Sequence, residues 1–313
     1  MKIASKWPAE TGKRDLVIVR AGDKSLHRGW GADTPECGFD LIVSYFGADP
    51  SAFRLPYENR VDYMGGKWDG IHVLFAQQPE LLDRYQYFWL PDDDLEADGA
   101  TIEAMFANMR RFDLHIAQPA LTLDSYFTHL AFLRCNSFEL RLIDKIEVMA
   151  PCLRSDILAK ILPLFEHSMS GFGLDSLWTR LGTDNTGKSA IFDALPVRHT
   201  RPVGIVLASA MRASGRTPNA EYHQLKARYG FGEFYPLSYE AIDVKGRRWR
   251  SRTAIGLRMV ADYALGRGTF RQADQLKKLL WRLIRRQRFK SADLSPIMLD
   301  PKEQQMQEWA GTC

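Results

Sequence analysis

An α/β layer fold with a mainly parallel sheet follows from two features of the sequence. Over the first two-thirds, short apolar runs alternate with stretches of helical periodicity, the pattern of strands joined by crossover helices. The 313 residues are 45% hydrophobic and 26% charged, enough apolar material for a real core and too much for a disordered or collagenous chain. The first strand is Leu16-Val17-Ile18-Val19, bounded by Arg14-Asp15 and Ala21-Gly22-Asp23. Phe39 to Phe46 is the second, closed by Gly47. Lys67 to Gln77 is helical after Gly65-Gly66. Tyr85 to Leu90 is a third strand, aromatic as strands tend to be, and it runs straight into Pro91-Asp92-Asp93-Asp94. Ile102, Met105, Phe106 and Met109 share one helical face. Leu114 to Ala117 is a strand stopped by Gln118-Pro119, and Phe138 to Ala150 is extended. Ser155 or Asp156 is placed to cap a helix through Ile157, Leu158, Ile161 and Leu162. After about residue 215 the strand signal fades. Glu221–Arg228, Thr253–Leu265 and Arg271–Arg286 are helical. The expected division is an α/β domain over 1–215 and a basic helical extension over 216–313.

The net charge of +4 hides a gradient. Residues 245–290 hold 15 Lys or Arg against Asp262 and Asp274, so that segment carries +13 and the rest −9. Such asymmetry points to an anionic partner, with a solvated helical face as the plainer reading. Trp281 and Phe289 are interleaved with the charges over 271–290, which suits peripheral contact with an anionic membrane. Nucleic acid ranks below this, because no nucleic-acid-binding module is visible. No apolar run approaches the ~20 residues of a spanning helix; the longest, Val203–Met211, includes Ser209. The N-terminus lacks the apolar stretch of a signal peptide. Cys37, Cys135, Cys152 and Cys313 form no CxxC pair. That argues against structural zinc and a disulfide framework and fits a reducing cytoplasm, with membrane association through the basic tail.

Asp92-Asp93-Asp94 stands at the carboxyl end of an apolar strand, where open α/β sheets bind ligands. Adjacent carboxylates repel. A hard divalent ion, Mg²⁺ or Mn²⁺, relieves that repulsion and can be shared with substrate phosphates. An Asp-x-Asp pair can therefore hold a metal against a diphosphate and stabilise it as a leaving group. The alternative is a solvated acidic turn, or an N-cap for the helix that follows.

Tyr87-Phe88-Trp89-Leu90-Pro91-Asp92-Asp93-Asp94-Leu95 resembles the aspartate motif of nucleotide-diphospho-sugar glycosyltransferases of the GT-A fold. An ordered set of blocks is similar to a GT-A-like family of plant and bacterial proteins. The set comprises Phe39–Ile42 with Tyr45, Lys67-Trp68, the Asp triplet, Ile116–Leu121, Ile146–Pro151, and Gly173-Leu174-Asp175 leading to His199. It spans about residues 15–205. The chain departs from the pattern at Pro91 and at Thr200-Arg201-Pro202.

The resemblance implies a GT-A-like nucleotide-sugar-binding domain and a metal-dependent glycosyltransferase. Asp92 and Asp94 become metal ligands, and Asp93 turns away or toward the donor's ribose or sugar. His199 is the third ligand, or an ordinary partly buried histidine. Arg20 to Asp23 contacts the nucleotide, and Gln118 lines the donor-sugar site. The donor is a nucleotide-diphosphate sugar; the acceptor is a hydroxyl, on a cell-surface or lipid-linked glycan. Lys67, behind two glycines at a helix start, can meet the diphosphate or simply be solvated. Asp175 follows Gly171-Phe172-Gly173, where glycines allow close approach to substrate. It can serve as general base in an inverting displacement, or cap the helix after it. Glu147 is a second candidate base, or an outward strand residue. Two rival readings are a nucleotide-sugar-binding protein without turnover and an anionic-surface adaptor working through 245–290.

Overall fold

A computed structural model describes residues 11–34, 36–166, 168–204, 211, 215–233, 235–271 and 273–299. The N-terminal segment, most of Val203–Met211 and Cys313 lie outside the described residues. The centre of the molecule is one mixed sheet. Its strands are β1 (Asp15–Ala21), β2 (Phe39–Tyr45), β3 (Val61–Asp62), β4 (Tyr87–Trp89), β5 (Leu95–Glu96), β6 (Ile116–Leu121), β7 (Phe138–Ile143), β8 (Cys152–Arg154), β9 (Ser189–His199), β10 (Ser238–Asp243) and β11 (Arg248–Trp249). They lie in the order β11-β10-β7-β9-β6-β8-β4-β1-β2-β3, with β5 attached to β9. β3, β2, β1 and β4 pair in parallel, as do β6 and β9. β8, β7 and β11 run the other way. The carboxyl ends of β1, β2, β4, β6 and β9 therefore face the same edge. Every residue of β1 and β2 is buried, as expected for parallel strands covered on both faces.

The helices are α1 (Lys67–Gln77), α2 (Leu81–Arg84), α3 (Gly99–Arg111), α4 (Ser155–Phe165), α5 (Pro218–Tyr229), α6 (Arg252–Leu265) and α7 (Leu276–Phe289). The apolar face read for α3 is the buried one: Ile102, Met105, Phe106 and Met109. Asp98 caps this helix, accepting from the Thr101 amide at 2.7 Å. Neither Ser155 nor Asp156 caps α4. The Ser155 hydroxyl instead donates to the Leu82 carbonyl.

Four expectations need correction. β6 continues through Gln118 and Pro119 to Leu121, because β9 pairs alongside it. β7 ends at Ile143, and residues 144–151 form a buried loop rather than more strand. Strand does not cease after 215: β10 and β11 form an antiparallel pair on β7. β9, the longest strand, has no counterpart in the periodicity. Its Phe192 pairs with Pro119 and its Val197 with Leu121, so the chain bulges between them: Asp193 stays buried, Ala194 is exposed and Pro196 is half-buried.

A buried ion pair holds this half of the sheet together. The Arg141 guanidinium on β7 grips Asp193 on β9 through two hydrogen bonds of 2.7 and 2.9 Å, with both side chains fully buried. Its remaining donors reach the Ala131 and Leu133 carbonyls at 2.8 Å. Asp193 also accepts from the Cys135 amide at 2.7 Å. Removing one partner leaves a buried charge uncompensated. Arg141→Met should cost about 3–5 kcal/mol, read as the urea unfolding free energy. Arg141→Met/Asp193→Leu should recover part of that loss; a double variant as unstable as the single one would contradict the account.

Candidate active site

The edge where β1, β4 and β9 end gathers the acid triplet. Asp92 forms a bridge with Arg20 at the end of β1, and its amide donates to the Met149 carbonyl at 2.8 Å. The Asp93 carbonyl accepts from the Leu26 amide at 2.8 Å. β5 then pairs antiparallel with the end of β9, with Leu95 opposite His199. The Thr200 hydroxyl and amide both donate to the Asp94 carbonyl, at 2.8 and 3.1 Å. The backbone of the triplet is thus fixed from three sides.

Each carboxylate has its own partner. The Lys67 ammonium, from the first residue of α1, lies 2.7 Å from Asp92 Oδ1 and also donates to the Val148 carbonyl at 2.8 Å. Where the sequence points Lys67 at a diphosphate, its ammonium sits on a carboxylate. Burial lowers the Lys67 pKa, and Asp92 works against that. The Asp92 side chain remains 41% exposed, the most open of the three. Asp93 accepts from the Gly22 amide at 2.8 Å and from Arg201 at 3.0 Å. Burial nonetheless pushes its pKa up to about 6. Asp94 Oδ2 lies 3.1 Å from His199 Nε2.

The His199 ring is oriented from behind. Its Nδ1 lies 2.9 Å from the Tyr126 carbonyl, an atom that can only accept, so Nδ1 carries a proton. A neutral ring then turns the lone pair of Nε2 toward the Asp94 carboxylate. Two acceptors at that distance need a proton or a cation between them. Burial acts to lower the His199 pKa, but the Asp94 hydrogen bond and charge outweigh it, and the value is raised. Among the described residues no three His, Cys, Asp or Glu side chains stand close enough to hold a metal unaided. The Asp94–His199 pair fits one in another way. A histidine anchored through Nδ1, beside a carboxylate, is a usual half-set, and Mg²⁺ commonly completes its shell with water and substrate phosphates.

The other sequence candidates are placed as follows. Arg20 is buried in the sheet, with donors on Ser44 Oγ at 2.9 Å and the Gly65 carbonyl at 2.8 Å and a further hydrogen bond to the Tyr63 carbonyl. Its guanidinium also lies over the Phe46 and Tyr63 rings. Asp23 is exposed and accepts from the Tyr45 hydroxyl, which lowers its pKa. Gln118 is buried on β6, and its Oε1 accepts from the Glu147 amide at 2.8 Å. Glu147 belongs to the buried loop and does not alternate outward. Its Oε2 accepts from Thr128 at 3.0 Å, while its Oε1 and the Gln118 Nε2 are buried without partners. Burial pushes the Glu147 pKa up to about 7, with His199 and Asp92 within electrostatic reach.

Asp175 lies on a short 3₁₀ turn, Leu174–Ser176, rather than at a helix start. It accepts from the Gly173 amide at 3.2 Å. Burial pushes its pKa up to about 7; Lys145 opposes that and Glu147 adds to it. Gly171 has φ +78°, and a Cβ there would fall 2.2 Å from Trp68 Nε1. Glu221, from α5, ties this loop down by accepting from the Met169 and Ser170 amides at 3.1 and 2.9 Å. Sequence reasoning missed Arg201, Thr128, Tyr126 and Glu221. Only Arg201 gave a signal, lying in the stretch that departs from the family pattern.

A cavity of about 680 Å³ lies elsewhere, between the β10–β11 hairpin and α6. Its acids are already matched. Asp243 accepts from Arg247 and Trp249, and Asp262 from Ser137 with Arg258 beside it. By contrast, Gln118 Nε2 and Glu147 Oε1, near the acid triplet, are buried without partners.

No family model and no curated protein matches the chain. Among solved structures it is similar to S. aureus TarS 1–349 in complex with UDP, at 10% identity over 88% of this chain and 90% of that one, with a TM-score of 0.41. Against a longer TarS structure it spans about half, 54%, of that chain. It is also similar to glucosyl-3-phosphoglycerate synthase from Mycobacterium tuberculosis in complex with Mn²⁺, UDP and glucosyl-3-phosphoglycerate. That match has 10% identity over 77% and 88% of the two chains and a TM-score of 0.43.

Glu147 gives a test of the site's electrostatics. Its raised value means the folded state holds the proton more tightly than the unfolded chain does. This contribution is complete below the ordinary 4.5 and is lost as pH rises through about 7. At about 1.4 kcal/mol per tenfold, the charged form costs the fold about 3 kcal/mol above that pH. Glu147→Gln should therefore be the more stable protein at pH 8, by about 1–3 kcal/mol, and indistinguishable from wild type near pH 4. Urea unfolding at the two pH values checks this; an equal difference at both would contradict it.

Proposed function

We propose that the chain is a glycosyltransferase that moves a sugar from a nucleotide-diphosphate donor to an acceptor hydroxyl. The observation that carries this is the approach of Asp94 to His199 across the ends of β4 and β9, at 3.1 Å, beside two further carboxylates. Asp94 and His199 would hold Mn²⁺ or Mg²⁺, with Asp92 on its open side. Such an ion supplies charge stabilisation to a departing diphosphate. Lys67 offsets the charge of Asp92 and brings a cation to the same edge. Asp93 secures Gly22, so that the turn from Arg20 to Asp23 presents a fixed backbone to the nucleotide. Gln118 and Glu147 flank the donor sugar.

Asp175 takes the base role. It is half-buried, so an acceptor can reach it, and a pKa near 7 matches a general base to neutral pH. It accepts the acceptor hydroxyl's proton as that oxygen bonds to the anomeric carbon. The bond from that carbon to the diphosphate breaks, and the nucleoside diphosphate leaves with the electron pair.

With Mn²⁺ present, UDP or GDP should raise the thermal midpoint of the wild type, since a ligand of the folded state stabilises it. Asp94→Ala and His199→Ala should each abolish that rise, and Lys67→Met should weaken it. A rise equal in all four proteins, or none in the wild type, would overturn the proposal.

One observation favours a surface-bound enzyme. On α7, Trp281 is 68% exposed and Phe289 70%, among exposed Lys277, Lys278, Arg282, Arg285, Arg288 and Lys290. None of these six cations makes an ion pair among the described residues. Among the described residues no helix is long and apolar enough to cross a membrane. In vesicle sedimentation with phosphatidylserine at 0.15 M salt, Lys278→Glu/Arg282→Glu/Arg285→Glu should abolish binding, at about 1 kcal/mol per basic residue. Trp281→Ser should weaken it severalfold. Binding that survives the triple change would remove this reading.

A further inference from the structure

The cavity between the β10–β11 hairpin and α6, about 680 Å³, falls in the range of small-molecule sites, about 300–1,000 Å³. Its lining brings together Asp243, Lys245, Arg247 and Trp249 from the hairpin and Arg258 and Asp262 from α6. Both carboxylates are saturated. Asp243 Oδ1 accepts from the Lys245 and Arg247 amides, each at 2.9 Å. Its Oδ2 accepts from Arg247 Nε at 2.9 Å and from the Trp249 indole at 3.1 Å. The hairpin turn is thus held by its own acid. Asp262 Oδ2 accepts from the Ser137 amide at 2.8 Å and the Cys135 thiol at 2.9 Å. Its Oδ1 accepts from the Ser137 hydroxyl at 2.8 Å and lies 3.4 Å from Arg258 Nε. A carboxylate offers about four lone-pair sites, so neither has one left for a ligand.

The cations are in the opposite state. Arg247 and Arg258 each spend Nε on these contacts, Arg258 also donating it to the Ser137 hydroxyl. Among the described residues neither makes a hydrogen bond through its two terminal nitrogens, and the Lys245 ammonium makes no hydrogen bond or ion pair. A smaller adjoining cavity of about 300 Å³ shares Arg247 and Trp249 and adds Arg250, which is exposed and makes no ion pair among the described residues. The site therefore has donors and positive charge to offer and no acceptor. A carboxylate ligand brings one charge and two oxygens, few for donors from three side chains. A phosphate ester brings about two charges and three strong acceptor oxygens, and guanidinium forks match that geometry.

We propose that this cavity binds a phosphate ester, its phosphate held by Lys245, Arg247 and Arg258. The site shares no residue with the acid triplet and does not depend on the glycosyltransferase reading. The same phosphate could belong to a small soluble ester or to a lipid headgroup; two exposed aliphatic side chains, Val244 and Leu265, line the cavity beside the cations. The probes are glycerol 3-phosphate and water-soluble dihexanoyl phosphatidic acid, titrated calorimetrically into the full chain with EDTA present. At least one should bind saturably, and glycerol should not. Lys245→Met, which removes no side-chain contact among the described residues, should weaken binding by about tenfold, and Lys245→Met/Arg258→Gln by about a hundredfold. Tighter binding of phosphatidic acid assigns a lipid headgroup. Binding of glycerol 3-phosphate that is as tight or tighter assigns a small ester. No saturable binding of either probe overturns the inference, as does wild-type affinity in either variant. So does affinity lost in Asp94→Ala, which would place the phosphate at the acid triplet instead.

Discussion

Three consecutive carboxylates at one edge of a sheet repel one another, and the site is arranged around that repulsion. At a separation of about 4 Å, two unit charges interact by about 4 kcal/mol under the effective screening of a protein surface. A single shared counter-charge would draw the three side chains together. The structure separates them. Lys67 meets Asp92, Arg201 meets Asp93 and His199 meets Asp94. These partners come from the start of α1, from the turn after β9 and from the end of β9. The topology that lays β9 alongside β6 and β5 is therefore what makes the triplet tolerable.

Much of the N-terminal half was legible in the sequence, because burial there is simple. β1 and β2 are buried on both faces and read as unbroken apolar runs. α1 begins at Lys67, as its two preceding glycines suggest, and the buried stripe of α3 is the one its spacing marks. Legibility fails where strand identity depends on neighbours. β9 carries Asp193 and Pro196, which argue against a strand locally. Asp193 is acceptable only because Arg141 faces it, and Pro196 only because the chain bulges there. A one-dimensional pattern cannot show either compensation. The same holds for the site. The acidic triplet and His199 were visible as residue types, but their partners Arg201 and Tyr126 are supplied by folding.

The C-terminal third is tied to the half that carries the acid triplet by specific polar contacts. Glu221 holds the loop that ends in Asp175. Asp144, next to Lys145, accepts from Leu237 and Asp293. Gln287 of α7 exchanges hydrogen bonds with both backbone groups of Ser238 on β10, at 3.0 and 2.6 Å. Residues flanking the basic segment position the buried loops, and the segment itself is tied to β10 through Gln287. Its outer face carries exposed Lys277, Lys278, Arg282 and Arg285, while its inner face is bound to β10 through Gln287.

The position of Lys67 bears on how such a site would work. Burial raises the Asp92 pKa, and the ammonium seated on it works against that; separating the two leaves each short of a partner. On the proposed reading, a diphosphate's oxygens would compete with Asp92 for the ammonium, and each increment of charge Lys67 gave to phosphate would free Asp92 toward the Asp94–His199 pair. A cation held by all three side chains would then be strongest when the donor is present and weakest without it. In the structure Asp94 and His199 stand together at 3.1 Å, while Asp92 is held by Lys67 at 2.7 Å.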